Sequence, residues 1–122
     1  VAIYKTKTFD RFARSESIND EKLTEAVSRA GQGLIDADLG GGLIKQRVAR
    51  EGQGRRGGYR VIIALRKQGF VVFLFGYAKS AVDNLDDKQT TVLQGIAARW
   101  LNADAATLRK ALEQGELLEV LT

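Results

Sequence analysis

The spacing of apolar residues changes several times along the chain, and each change marks an element. "VAIYK" at the start reads as a short strand. Phe9, Phe12 and Ala13 then recur at helical intervals, which predicts a short helix in "TFDRFAR". Leu23, Ala26, Val27 and Ala30 make one stripe of a second helix. Asn19 suits its N-cap, Asp20 and Glu21 its first turn, Ile18 and Leu23 a hydrophobic staple, and Gly31 its end. "DADLGGG", Asp36 to Gly42, reads as a loop. Three strands are expected next, over Leu43–Ala49, Tyr59–Arg66 and Phe70–Ala78. Lys67-Gln68-Gly69 is short enough to join the last two as a hairpin. "REGQGRRGG" before them reads as a mobile glycine-rich loop. From Asp86 the period lengthens again: Val92, Leu93, Ile96, Ala97, Trp100 and Leu101 form a wide helical stripe, and a further helix in "AATLRKALEQ" stops at Gly115. "ELLEVLT" reads as a last strand. The order β-α-α-β-β-β-α-α-(β), with short links between consecutive strands, predicts an α+β fold. Its sheet is small, antiparallel or mixed, of four to five strands, with helices packed on one face. One domain over residues 1–122 fits the 122-residue length.

Charge changes this picture. The total is only +4, but Lys45, Arg47, Arg50, Arg55, Arg56, Arg60, Arg66 and Lys67 stand against Glu51 alone. That window carries a net +7 and the rest of the chain −3. A basic zone on an otherwise mildly acidic chain points to a polyanionic partner rather than to an evenly solvated surface. The chain has no histidine and no cysteine, which excludes Ser-His-Asp and Cys-His catalysis, thiolate chemistry and His-ligated metals. Chemistry is left to Lys, Arg, Tyr, Asp, Glu, Ser and Thr. No membrane-spanning run and no signal-peptide pattern are visible, and with the lack of cysteine this leads us to expect a cytoplasmic protein.

Alternation assigns the cations to strand faces. Lys45 and Arg47 share one face of the first central strand. Arg60, Ile62, Ala64 and Arg66 share a face of the second. Val71, Phe73, Phe75, Tyr77 and Lys79 are expected to share a face of the third. A sheet face carrying several cations is a seat for a nucleic-acid backbone, and Tyr77 and Tyr59 are candidates to stack on bases, with Tyr59 the better candidate for core packing.

"GGLIKQRVAREGQGRRGGYRVIIALR…FVVFLFGYAKSAVDNLDD" resembles the bacterial type II toxins of the RelE/HigB superfamily. "L-x-K-x-R-V", "GGYRVIIAL" and the strand-ending Gly-aromatic-x-Lys of "FGYAK" carry the likeness, in the expected order and spacing. The resemblance implies a small α+β toxin that enters the ribosomal A site and cuts mRNA without a metal or other cofactor. The RNA 2′-OH would attack the adjacent phosphate, giving a 2′,3′-cyclic phosphate and a free 5′-OH. It also implies a cognate antitoxin, through which the complex would bind operator DNA. Carried onto this chain, Arg60 matches the strand arginine, Lys45 and Arg47 the basic pair before it, and Tyr77 and Lys79 the strand end. These five are the candidate catalytic residues. Arg50, Arg55, Arg56, Arg66 and Lys67 are the candidate RNA-backbone contacts. Lys45 or Lys79 could serve as general base, or a lysine could protonate the leaving 5′-oxygen.

The chain departs from the pattern in lacking the histidine that HigB-like members carry near the end of the third strand. It also has Ala78 and Lys79 where RelE-like members place an arginine after the glycine. The acid and base roles therefore stay open, as do two other functions: a ParE-like toxin acting on gyrase, and a non-catalytic nucleic-acid-binding module. The segment from Asp104 to Thr122 either completes the fold or receives the antitoxin.

Overall fold

Strands that are apolar on both faces need cover on both faces, and the runs Val61–Ala64 and Val71–Leu74 are of this kind. The structure, a computed structural model, describes residues 1–50, 54–66, 69–79 and 85–121, with backbone alone for 54–56. Its elements are β1 (Ala2–Thr6), α1 (Lys7–Ser15), α2 (Asp20–Gly31), β2 (Ala37–Gly40), β3 (Leu43–Arg50), β4 (Gly54–Leu65), β5 (Phe70–Ala78), α3 (Asp87–Leu101), α4 (Ala105–Glu113) and β6 (Leu117–Glu119). The α+β class and the mixed sheet are as expected. The sheet has six strands, ordered β2-β3-β4-β5-β1-β6. All neighbours run antiparallel except β1 and β5, which are parallel.

The helices divide between the two faces instead of sharing one. On the first face, Phe9 and Ala13 of α1 and Leu23 and Ala26 of α2 bury Ile44, Val48, Val61, Ile63, Val71 and Phe73. On the second, Leu93, Ala97 and Trp100 of α3 and Ala111 of α4 bury Leu43, Ile62, Ala64, Val72 and Leu74. Residues 61–64 and 71–74 are buried throughout, so an uncovered face would have left a row of aliphatic side chains in water. Val92 and Ile96, on the flank of the α3 stripe, stay exposed beside Phe75 and Leu85.

The helix starts are set locally. Asn19 Oδ1 accepts from Lys22 N at 3.0 Å, and Asp86 and Gln89 form a reciprocal capping box at the head of α3. The C-terminal segment completes the fold: β6 pairs with β1, and Leu117 and Val120 are buried.

Three further expectations are corrected. First, Ala37–Gly40 is a strand, not a loop. Gly40, Gly41 and Gly42 all have positive φ (83°, 63° and 81°) and make the reversal from β2 to β3. Second, β4 begins at Gly54, so residues 54–58 of the expected glycine-rich loop are extended strand; residues 51–53 lie outside the described residues. Third, β5 carries a bulge. Ile62 lies opposite Phe75 but Ile63 lies opposite Phe73, which leaves Leu74 as the extra residue. One extra residue exchanges the faces. Val71 and Phe73 therefore face α1 and α2, while Phe75 and Tyr77 face the other way, and the five residues expected on one face do not share it.

Candidate functional site

The bulge and the strand register assemble the site. Arg47 of β3 lies opposite Arg60 of β4, which lies opposite Tyr77 of β5. Lys45, two residues before Arg47, shares its face. Along the second face the apolar row Ala64–Ile62 thus gives way to Arg60, and Leu43 gives way to Lys45 and Arg47. Lys79 N donates to Gly58 O at 3.0 Å, which continues the ladder past β5 and puts Lys79 in register beside this row.

A residue of the expected loop, Asp36, joins these cations. Asp36 Oδ1 accepts from Arg47 Nε at 2.8 Å, and Asp36 Oδ2 lies 3.4 Å from both Lys45 Nζ and Arg60 Nε. Backbone bonds hold it there. Asp36 N donates to Lys45 O at 2.9 Å, a bond offset by one residue from the Ala37–Lys45 pair of the β2–β3 ladder. Gln46, 1% exposed, reaches from the first face to donate to Leu34 O at 2.8 Å and Ala26 O at 3.1 Å. It thereby ties the segment before Asp36 to α2. The signal available in sequence was an acidic residue just ahead of a glycine-rich reversal. Only the pairing of β2 shows which cations it meets.

Exposure grades across the cluster: the side chains are 44% exposed at Arg47, 16% at Lys45, 11% at Asp36 and 5% at Arg60. Burial alone would raise the Asp36 carboxyl. The hydrogen bond from Arg47 and the charges of Lys45 and Arg47 outweigh it, so the group is held below the ordinary carboxylate range. Tyr77 is pushed the other way. Burial raises its phenol, the Arg60 charge opposes this and the Asp36 charge adds to it. Its hydroxyl is buried and has no hydrogen-bond partner among the described residues. The phenol is therefore kept protonated beside the cationic cluster.

The other candidates lie elsewhere. Arg50 stacks over the Tyr59 ring at 5.8 Å, on the first face. Tyr59 itself packs edge-on against Phe12 at 5.7 Å; burial first, then the nearby Glu16 carboxylate, raises its phenol. Both tyrosines are about as buried as the core, at 4% for Tyr59 and 5% for Tyr77, so neither offers a ring face for a base in this conformation. Arg66 sits past the far end of β4, about 20 Å along the strand from Arg60, with its guanidinium 5.5 Å from the Phe70 ring centre. The side chains of Arg55 and Arg56, and Lys67 altogether, lie outside the described residues. The structure therefore brings together Lys45, Arg47, Arg60 and Tyr77 with Lys79 alongside, and adds Asp36. Among the described residues no group of three or more acidic side chains is placed to hold a metal ion, and no helix is long and apolar enough to cross a membrane.

Chemically, two guanidinium groups and an ammonium gathered at one carboxylate have the charge and donor geometry that suit an oxyanion. The family model described as the RelE toxin of the RelE / RelB toxin-antitoxin system matches residues 1–120 of the chain. No curated protein matches it significantly.

Proposed function

Because the chain belongs to the RelE toxin family, and is thus the toxin of a toxin–antitoxin pair, we propose that it is an mRNA endonuclease acting on the ribosome, with the Lys45, Arg47 and Arg60 cluster as its catalytic centre. The observation that carries this reading is the convergence of the three cations on one carboxylate, each within 3.4 Å, at the strand positions that match the family pattern.

The chemistry follows from the charges. The 2′-oxygen attacks the neighbouring phosphorus, the P–O5′ bond breaks, and a 2′,3′-cyclic phosphate and a 5′-hydroxyl result. Negative charge builds on the non-bridging oxygens, and Arg47, Arg60 and Lys45 are aimed where it builds. The Tyr77 hydroxyl donates to the same phosphate. Two protons move: one leaves the 2′-OH and one reaches the 5′-oxygen. With no histidine in the chain, Lys45 and Lys79 are the groups we assign to these transfers, and pH–rate profiles of their alanine variants tell which does which. The antitoxin is the protein partner, and the cytoplasm is where ribosome and toxin meet.

The test is primer extension on a defined mRNA in a bacterial translation extract, with and without ribosomes. Wild type should cut in the A site only when ribosomes are present. Arg47→Ala, at a half-exposed position that tolerates truncation, should lose cutting while keeping its circular dichroism spectrum. Arg60→Ala should lose it too, but its fold must be checked, because it breaks a buried ion pair. Cuts without ribosomes would make the protein a free ribonuclease. No cuts would sink the nuclease reading and send the protein to a gyrase supercoiling assay.

A further inference from the structure

Asp36 brings a carboxylate to the place where the proposed chemistry needs a phosphate. Its two oxygens meet three cations at 2.8, 3.4 and 3.4 Å, an arrangement that equally suits two oxygens of a phosphodiester. It is not a loose surface pairing. The backbone bond to Lys45 O and the Gln46 clamp on Leu34 O fix its approach. The exposures decide the order of events for an incoming anion. Arg47, at 44%, is met first; Arg60, at 5%, is reached only after Asp36 loosens its hold.

We infer that Asp36 is an internal stand-in for the RNA phosphate: in the free protein it neutralises and aligns Lys45, Arg47 and Arg60, and it gives up its Oδ2 share of them when a phosphodiester enters. This rests on the cluster being the cleavage site. Two effects of the carboxylate oppose each other. It keeps three like charges from repelling one another and compensates the buried Arg60, which preserves the geometry that cleavage requires. It also competes for the donors that RNA uses, which weakens binding. The other polar groups around it come from neighbouring elements. Tyr77 of β5 feels its charge, and Arg29 of α2 donates to Arg47 O while pairing with Glu25.

The opposition gives a signature that a purely structural residue lacks. Removing the charge should tighten anion binding and slow turnover together. The experiment uses the full chain as wild type, Asp36→Asn and Asp36→Glu. The probes are sulfate and a short 2′-O-methyl RNA, which keeps the phosphates but has no hydroxyl to attack with. Asp36→Asn should bind both probes about tenfold more tightly than wild type, a modest share of what one charge at this distance is worth. Asp36→Glu should stay within about threefold of wild type, because the charge is kept. In the ribosome assay at saturating mRNA, Asp36→Asn should cut about a hundredfold more slowly, with Asp36→Glu partly restoring the rate.

A folded Asp36→Asn protein that binds the probes no better than wild type overturns the inference, whether or not wild type cleaves. Tighter binding with undiminished turnover overturns the aligning role. If Asp36→Asn does not fold, the wild type decides: a carboxyl-carbon NMR titration should show the Asp36 pKa rising when sulfate is added, as the cations turn to the anion, and an unmoved value overturns the inference. Failure of wild type to cut on ribosomes counts against the nuclease reading alone, because the binding arm needs no cleavage.

Discussion

Gly76 of β5 lies directly against the ring of Phe12: a Cβ built on Gly76 would fall 2.3 Å from Phe12 Cε2. The glycine in the strand-ending motif is therefore a packing requirement of the first face, one residue before a candidate site residue on the second. Gly76→Ala should lower stability by about 1–3 kcal/mol through overpacking. Urea unfolding would measure it. Phe12→Leu in the same chain should recover part of the loss, and failure of that rescue would show that the clash is not the cause.

The acid limb of stability should carry the mark of Asp36. Its folded carboxyl is lowered, with the Arg47 hydrogen bond and the nearby cations outweighing burial. A lowered carboxylate contributes stability above its unfolded pKa, and that contribution is lost as pH falls through the folded value. Wild type should therefore lose melting temperature from about pH 4 downward more steeply than Asp36→Asn. At neutral pH Asp36→Asn should be the less stable protein. Parallel curves would remove Asp36 from the acid transition.

A second ion network should act at the alkaline end. Lys5 Nζ lies 3.0 Å from both Asp10 Oδ1 and Asp20 Oδ1, and Asp20 Oδ2 accepts from Leu121 N at 2.9 Å. The network joins β1, α1, α2 and the chain beyond β6. Burial alone would lower the Lys5 ammonium, but its hydrogen bonds to the two aspartates and their charges raise it further. The stability this gives is complete below the unfolded lysine pKa and is lost as pH rises through the raised folded value. Lys5→Met should cost about 2 kcal/mol at neutral pH, because it removes two charge-assisted hydrogen bonds and leaves buried Asp10 with Arg14 alone. The gap to wild type should narrow above about pH 10.5. Melting curves across that range test both statements.

Position along the sheet should separate two arginines. Arg47→Ala should reduce the salt dependence of single-stranded RNA binding by about one counterion. Arg66→Ala should leave it unchanged, since its guanidinium sits over the Phe70 ring, past the end of β4 that lies away from Arg47 and Arg60. Equal losses in a fluorescence-anisotropy salt titration would extend the RNA path along the whole sheet.

The sequence by itself determined the elements whose cause is local. The helices around Leu23 and Leu93 follow from apolar period and from caps at Asn19 and Asp86, which act within three residues. The long strands follow from their β-branched and aromatic runs, and Arg60, Lys45 and Arg47 from short motifs and strand alternation. What tertiary structure decided has causes far apart in the chain. The bulge at Leu74 exists only because β5 pairs with β4, and it turns Tyr77 toward Arg60. The six residues of Phe70–Phe75 show no local break that would announce it. Ala37–Gly40 is too short and too polar to read as a strand, and becomes one because β3 offers it an edge. Asp36 joins the site through that pairing, so the carboxylate that meets three cations could not be found by reading along the chain. Burial has the same origin: Arg60 is as buried as the core because β3, β5 and Asp36 close around it, and no property of residues 54–65 alone fixes that.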